Sequence, residues 1–388
     1  MKILVNISHL NKPKTGIEHY TVELLTRLMQ HPKVEDIVGF DALKFYTQEK
    51  LQSKLQAQET NDSSTKPIKY KLKQTLKTIP GMRNLYHKVW SRLHQMRLNT
   101  YAHKGYLYWE PNYITVPYQG KTFPVIHDLS DIQCPQYHIK EKAQWYAENI
   151  PKSVQKAHRV QTVSHYSKQQ IIDILKVPEH KIDIISPGVD DQFYPRTEQQ
   201  TSPILQKYGL AYKKYLLSVS TLEPRKNLKG LFAAWIQLPE AIKKQYPLVL
   251  VGKNGWLNET FNQTIQPYVN KGQVVLTGHI PTEELPHLYS GAKLFAYLSF
   301  YEGYGMPIAE AICCGTQVLA SNTTAMPEAG KTYATYVSPE DISAITQQLQ
   351  VLLQKGCSHQ TNIDRQAYSW EYAIQCLIQS LQKGNVKQ

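Results

Sequence analysis

The sequence predicts a doubly wound α/β protein, on three observations. Short apolar runs recur along the chain, separated by helix-length segments. Most runs are continuously apolar rather than alternating, as expected of parallel strands covered on both faces. And 388 residues are too many for one ordinary core, so two such units are expected. Strand–helix alternation throughout then points to two Rossmann-like domains facing each other across a cleft.

The elements follow in order. Residues 2–7 (KILVNI) form the first strand, and residues 17–29 a helix with Ile17, Tyr20, Leu24, Leu25 and Leu28 on one face. Residues 49–65 are polar and Gln/Ser-rich and are expected to be a loop or disordered insert. Further strands are expected at 123–127 (FPVIH), 159–163 (RVQTV) and 181–185 (KIDII). Residues 187–203 (PGVDDQFYPRTEQQTSP) have no apolar period and mark the boundary between domains 1–195 and 196–369. A fresh series begins at 215–219 (YLLSV) and continues at 248–251, 274–277, 294–297 and 318–320. A C-terminal segment, 370–388, contains a helix that can pack on either domain.

Composition excludes several classes. No stretch approaches the roughly 20 apolar residues of a membrane span, and the N-terminus lacks the pattern of a signal peptide. The five cysteines are scattered, with Cys313 and Cys314 adjacent, so reduced thiols, a cytoplasmic location and no metal site are expected. The formal charge is +13 and is concentrated. From Lys66 to Lys104 there is no Asp or Glu, while Lys69, Lys71, Lys73, Arg83, Lys88 and Arg92 all fall within it. Such an excess points to an anionic partner. In residues 82–97 the apolar Met82, Leu85, Val89, Leu93 and Met96 step by three and four between basic residues, as in a helix lying on anionic lipid. A core-packed helix with a solvated basic face is the alternative. No RNA- or DNA-binding motif accompanies the charge.

The most specific chemical signal is Glu302 to Glu310 (EGYGMPIAE). Pro307 is tolerated in a first helical turn, which places Glu302 in a glycine-bearing loop and Glu310 about a turn into a helix with an exposed N-terminus. Carboxylates there suit hydroxyl groups, as ribose or a pyranose offers; a buried helix start with Glu310 capped or salt-bridged is the alternative. Arg225 and Lys226 follow a strand and a proline-stiffened loop, where a guanidinium and an ammonium can stabilise a leaving diphosphate. Gly16 stands where a strand end meets a helix start, the usual ligand crevice of such sheets. His127 ends an apolar strand, and Asp128 can cap the next helix or orient His127.

Taken together, these segments resemble the family 4 retaining glycosyltransferases. Glu302 to Glu310 is similar to the family's E-x7-E signature, and Thr15–Tyr20 (TGIEHY) to its first glycine loop. Residues 126–129 (IHDL) resemble its HD-L motif, 163–167 (VSHYS) its V-S-x-x-S segment, 187–190 (PGVD) its linker and 221–227 (TLEPRKN) its donor-phosphate loop. Residues 251–255 and 276–278 match later strand ends. The resemblance spans nearly the whole chain outside about 44–104. It departs from the family at Thr15, where a first glycine is common, and at 218–220, where many members carry an arginine.

The resemblance implies a GT-B fold, an N-terminal acceptor-binding domain and a C-terminal nucleotide-sugar domain. It implies catalytic roles for His127 and Glu302, with Asp128 as a further candidate. It implies donor contacts at Gly16, Arg225, Lys226, Gly252, Gly278, Gly303, Gly305, Met306 and Glu310. The expected activity is metal-independent transfer of a hexose, mannose from GDP-mannose, to a glycan or lipid-linked acceptor on the inner face of the cell membrane. A UDP-glucose-dependent enzyme of the same fold, a GT-B sugar-nucleotide epimerase and a non-catalytic nucleic-acid-binding protein are the alternatives.

Overall fold

The structure, a computed structural model, describes residues 1–11, 16–41, 44–60, 82–252, 259–356 and 363–384. Two sheets organise it. The first contains β1 (Lys2–Asn6), β2 (Asp36–Phe40), β3 (Phe45–Tyr46), β4 (Leu107–Glu110), β5 (Thr122–Ile126), β6 (Val160–Thr162) and β7 (Ile182–Ile184), in the order β3-β2-β1-β4-β5-β6-β7. The second contains β8 (Leu216–Val219), β9 (Leu248–Val251), β10 (Val274–Gly278), β11 (Leu294–Tyr297), β12 (Val318–Ser321) and β13 (Ala334–Val337), in the order β10-β9-β8-β11-β12-β13. Every pairing is parallel except β2 with β3.

In both sheets the chain reverses its direction of travel at one point, between β1 and β4 and between β8 and β11. Loops leaving the carboxyl ends of those strands line the crevice where ligands bind in open α/β sheets. The strand interiors explain the continuous apolar runs: Ile3, Leu4, Val5, Leu216, Leu217, Leu294 and Phe295 are all fully buried.

Each strand expected from the apolar runs is present. The structure adds β2, β3, β4 and β13, which sequence periodicity did not reveal. It also corrects the loop or disordered insert expected at 49–65 as far as residue 60, since Gln48–Thr60 is a helix; residues 61–65 lie outside the described residues. Leu51 and Leu55, one turn apart, are buried, and Leu51 packs against Gly39 of β2. Gln52 and Ser53 between them are exposed and Lys54 reaches Asp41 and the Tyr46 ring, so the segment reads as polar and featureless. Within 187–203, likewise, Thr197 opens a helix at Glu198–Lys207 through a capping box with Gln200.

The C-terminal helix, Trp370–Lys383, returns to the first sheet. Ser380 accepts a hydrogen bond from Gln161 and donates one to Asp183, and Leu377 and Leu381 are fully buried. A Cβ at Gly188 would overlap the backbone of Trp370, so this crossing needs glycine. No helix among the described residues is long and apolar enough to cross a membrane.

Candidate active site

Local chemistry shapes the two strand-end loops of the second sheet. After β8 the chain makes a short 3-10 turn over Pro224–Lys226, and Asn227, with φ of 53°, caps the following helix by accepting from the Gly230 N–H. After β11 the chain runs through Ser299–Tyr304 to Gly305, whose φ of 107° favours glycine, and the Met306–Cys313 helix begins. Because β8 and β11 are neighbours, these loops touch. The Phe300 N–H donates to the Arg225 carbonyl at 2.9 Å.

Glu302 thereby meets both cations. Arg225 donates to its carboxylate at 3.0 Å and Lys226 at 2.6 Å, while the Tyr297 hydroxyl donates to the same Glu302 oxygen as Lys226, at 3.0 Å. Arg225 also donates to the Tyr301 carbonyl at 2.6 Å. Glu302 is buried, and the Arg225 and Lys226 side chains are only 14% and 10% exposed. Burial alone would push the Glu302 carboxyl up; Arg225 and Lys226 outweigh it and hold the pKa down at about 2. Lys226 is lowered by burial and by Arg225, against the pull of Glu302.

Glu310 lies one turn into the Met306–Cys313 helix and accepts from the Tyr289 hydroxyl at 2.9 Å. Burial pushes its pKa up to about 7. The start of this helix is not exposed as the sequence reading expected: Gly303, Tyr304 and Gly305 are buried. The reason is the loop facing it. A Cβ at Gly303 would overlap the His127 carbonyl and crowd Asp128.

His127 follows β5, with its carbonyl against that glycine. Its Nε2 lies 2.8 Å from the Pro111 carbonyl, which can only accept, so Nε2 carries hydrogen and Nδ1 is the acceptor. Burial lowers the His127 pKa, keeping the ring neutral. Asp128 does not orient this ring. It accepts from the Ser130 N–H at 2.9 Å and closes the turn that opens Ser130–Gln133. Residues 163–167 cap a helix: Ser164 accepts from the Ser167 N–H, and the Ser167 hydroxyl donates to the His127 carbonyl at 3.1 Å. Glu328 adds to that cap from the second domain, accepting from the His165 and Tyr166 N–H groups at 2.7 Å each.

The remaining sequence-derived residues divide. Gly16 begins the Gly16–Gln30 helix with open space where a Cβ would stand, so protein packing does not demand glycine there. Gly252 follows β9 and Gly278 ends β10; the Gly252 N–H donates to the Gly278 carbonyl, and a Cβ on Gly252 would overlap the Ser220 carbonyl. Met306 is half-buried at the helix start. Lys69, Lys71 and Lys73 lie outside the described residues, and Arg83, Lys88 and Arg92 lie on the Met82–His103 helix. On that helix Leu93 and Met96 are 52% and 65% exposed, so the core-packed alternative fails for these two.

Sequence reasoning missed Tyr297, Asp131, His138 and Glu328. Asp131 stands four residues after His127, a spacing that could have drawn notice; the others carry no local signal. Among the described residues one His/Asp/Glu group, His19, Glu23 and Asp190, brings candidate metal-ligand atoms within 4.8 Å of one another. Its members already have protein partners: His19 and Trp370 contact Asp190, and Arg27 pairs with Glu23.

Comparison with known proteins decides the family. The family model described as Glycosyl transferases group 1 matches residues 203–370. The chain is 32% identical to O-antigen chain mannosyltransferase B of Escherichia coli, over 96% of this chain and 97% of that protein. The chain belongs to the glycosyl transferases group 1 family. It is a glycosyltransferase of GT-B fold. It is also 32% identical, over 47% of this chain and 50% of the relative, to the GDP-mannose-dependent alpha-(1-6)-phosphatidylinositol monomannoside mannosyltransferase of Mycolicibacterium smegmatis. The crystal structure of Anabaena Alr3699/HepE in complex with UDP and glucose superposes with a TM-score of 0.71 at 17% identity, covering 99% of this chain and 100% of that one. Membership of this family favours neither the epimerase nor the nucleic-acid-binding alternative.

Proposed function

We propose that this glycosyltransferase moves mannose from GDP-mannose, with retention, to a glycan or lipid-linked acceptor in cell-surface polysaccharide synthesis. The observation that carries the donor sugar is the full-length similarity to O-antigen chain mannosyltransferase B. The site geometry supplies the chemistry. Arg225 and Lys226 take the charge that develops on the leaving diphosphate, so no metal ion is required. Glu310 accepts the ribose hydroxyls, and the open space before Gly16 admits the diphosphate. His127 Nδ1 accepts a hydroxyl of the transferred sugar. Glu302 is held by two cations, which leaves it unsuited to attack the anomeric carbon. Same-face transfer fits better: the bond from the anomeric carbon to the phosphate oxygen breaks, the acceptor oxygen bonds to that carbon, and its proton passes to the departing diphosphate.

Calorimetry with GDP, UDP and ADP tests the donor. GDP is expected to bind tightest; tighter UDP binding would replace the mannose reading with a UDP-hexose one. The same titrations test Glu310. An ionised carboxylate accepts a hydroxyl at each oxygen through charged hydrogen bonds, whereas protonation removes the charge and turns one oxygen into a donor. With its pKa at about 7, affinity is expected to fall as pH drops below 7, by up to about tenfold per unit. Glu310→Gln should flatten that profile, and a flat profile in the unaltered protein would remove the ribose role.

We also propose that the basic segment 66–104 docks the enzyme peripherally on the inner face of the cell membrane. The exposed Leu93 and Met96 support this, one turn apart on a helix otherwise rich in basic residues. Each basic residue near an anionic surface contributes about 1 kcal/mol. Sedimentation with vesicles should rise with phosphatidylglycerol content and fall with salt. Exchanging Lys69, Lys71, Lys73, Arg83, Lys88 and Arg92 for Gln should release the protein, and undiminished sedimentation of that variant would exclude docking.

A further inference from the structure

Three buried polar atoms without a hydrogen-bond partner fall in one neighbourhood of the cleft. They are Oδ1 of Asp131, Nε2 of His138 and Nε of Arg225. Asp131 is only 8% exposed, and its Oδ1 lies 3.5 Å from His138 Nδ1. Two contacts bring this pair to Arg225 from the first domain. Leu129, two residues before Asp131, donates its N–H to the Tyr301 hydroxyl, and the Tyr301 carbonyl accepts from Arg225. Tyr137, next to His138, stacks on Phe300 with rings 4° from parallel and centroids 5.7 Å apart, and Phe300 is bonded to the Arg225 backbone.

A buried polar atom left unpaired costs free energy, so such a cluster marks groups that a ligand completes. The charges indicate which kind. Asp131 and His138 lie in the fields of Asp128, Lys142 and Arg225. An anion would face two carboxylates and a cation would face two basic side chains. A neutral polyol meets neither obstacle: the carboxylate accepts from a hydroxyl, the Arg225 Nε–H donates to one, and the imidazole edge serves a third. Arg225 also belongs to the proposed diphosphate clamp, so these groups stand where an acceptor must approach the departing donor.

We propose that Asp131 and His138 form the acceptor-sugar subsite, binding ring hydroxyls of the incoming glycan beside the Arg225 guanidinium. This rests on the mannosyl-transfer reading above. The probe is octyl α-mannoside, titrated into the full-length protein loaded with GDP and assayed as acceptor. Asp131→Asn is expected to weaken its binding and raise its KM by about 10- to 150-fold, as for loss of a charged hydrogen bond, and His138→Gln, whose ring is kept neutral by burial, by about 2- to 12-fold. GDP affinity and the melting temperature should stay near those of the unaltered protein, which separates an acceptor contact from a general packing defect. Equal octyl α-mannoside binding by all three proteins would mean that no acceptor hydroxyl meets these atoms and would overturn the proposal. So would a parallel loss of GDP affinity, or no binding of the mannoside to the GDP-loaded enzyme. Failure of the donor reading is distinct, because it shows first as failure of the unaltered protein to bind GDP.

Discussion

Replacing Glu302 with Ala is expected to lower the stability of the second domain by about 3–5 kcal/mol, the cost of stranding buried charge. Arg225 and Lys226 are adjacent in sequence and both pair with this one carboxylate. Their side chains are 14% and 10% exposed, so water compensates them only weakly. Glu302→Gln keeps the shape and one acceptor oxygen and should cost less. Urea unfolding at pH 7 checks the difference; a loss below about 1 kcal/mol would mean the three charges are solvated rather than buried. The pH dependence has a definite sign. The Glu302 pKa is depressed to about 2, against about 4.3 in an unfolded chain. Its contribution is therefore complete above about pH 4.3 and disappears as pH falls towards 2, and the Ala variant should lack that acid-sensitive component. A nucleoside diphosphate offers a replacement counter-charge, so GDP should raise the melting point of the variant more than that of the unaltered protein.

The same residues show how far sequence reaches. Glu302 and Glu310 could be placed in a loop and one turn into a helix because Gly303, Gly305 and Pro307 have backbone meanings that do not depend on the fold. Arg225 and Lys226 could be assigned to a strand-end loop for the same reason. That Glu302 grips both of them could not be read, because the contact spans 76 or 77 residues and depends on β8 lying beside β11. The partner of His127 was hidden in a similar way. The Pro111 carbonyl follows β4, a strand of Leu107–Glu110 that ends in a charged residue and carries no apolar alternation. Glu110 is tolerated there because Asn6 and the Asn112 N–H satisfy it at 2.8 and 3.0 Å, while burial raises its pKa to about 8. Apolar runs revealed the strands buried on both faces. They did not reveal β13, whose Ala334, Thr335 and Tyr336 are only half-buried at a sheet edge, or the 48–60 helix, where Leu51 and Leu55 are the buried positions among the described side chains.

The double substitution Arg225→Gln with Lys226→Gln should remove transfer while leaving a folded protein. In the parent site, burial would push Glu302 up if the cations were absent. In the double variant it is therefore expected to take a proton rather than remain a stranded anion, and the glutamines can hydrogen-bond to the neutral carboxyl. The donor loses both charges that offset its developing diphosphate. At about 1.5–3 kcal/mol for each charged hydrogen bond, the combined loss is about 3–6 kcal/mol. That corresponds to a fall in kcat/KM of roughly 10²- to 10⁴-fold. Each single variant should lose less than half of this in logarithmic terms, since the remaining cation is released from sharing Glu302 and binds phosphate more freely; contacting groups need not act additively. Adding Glu302→Gln to the double variant should restore any stability deficit without restoring transfer, which separates folding from chemistry. Steady-state assays with GDP-mannose, with and without EDTA, read the result. Near-normal kcat/KM with unchanged donor affinity would remove Arg225 and Lys226 as the diphosphate clamp, and strong inhibition of the parent enzyme by EDTA would show that a metal ion carries that charge instead.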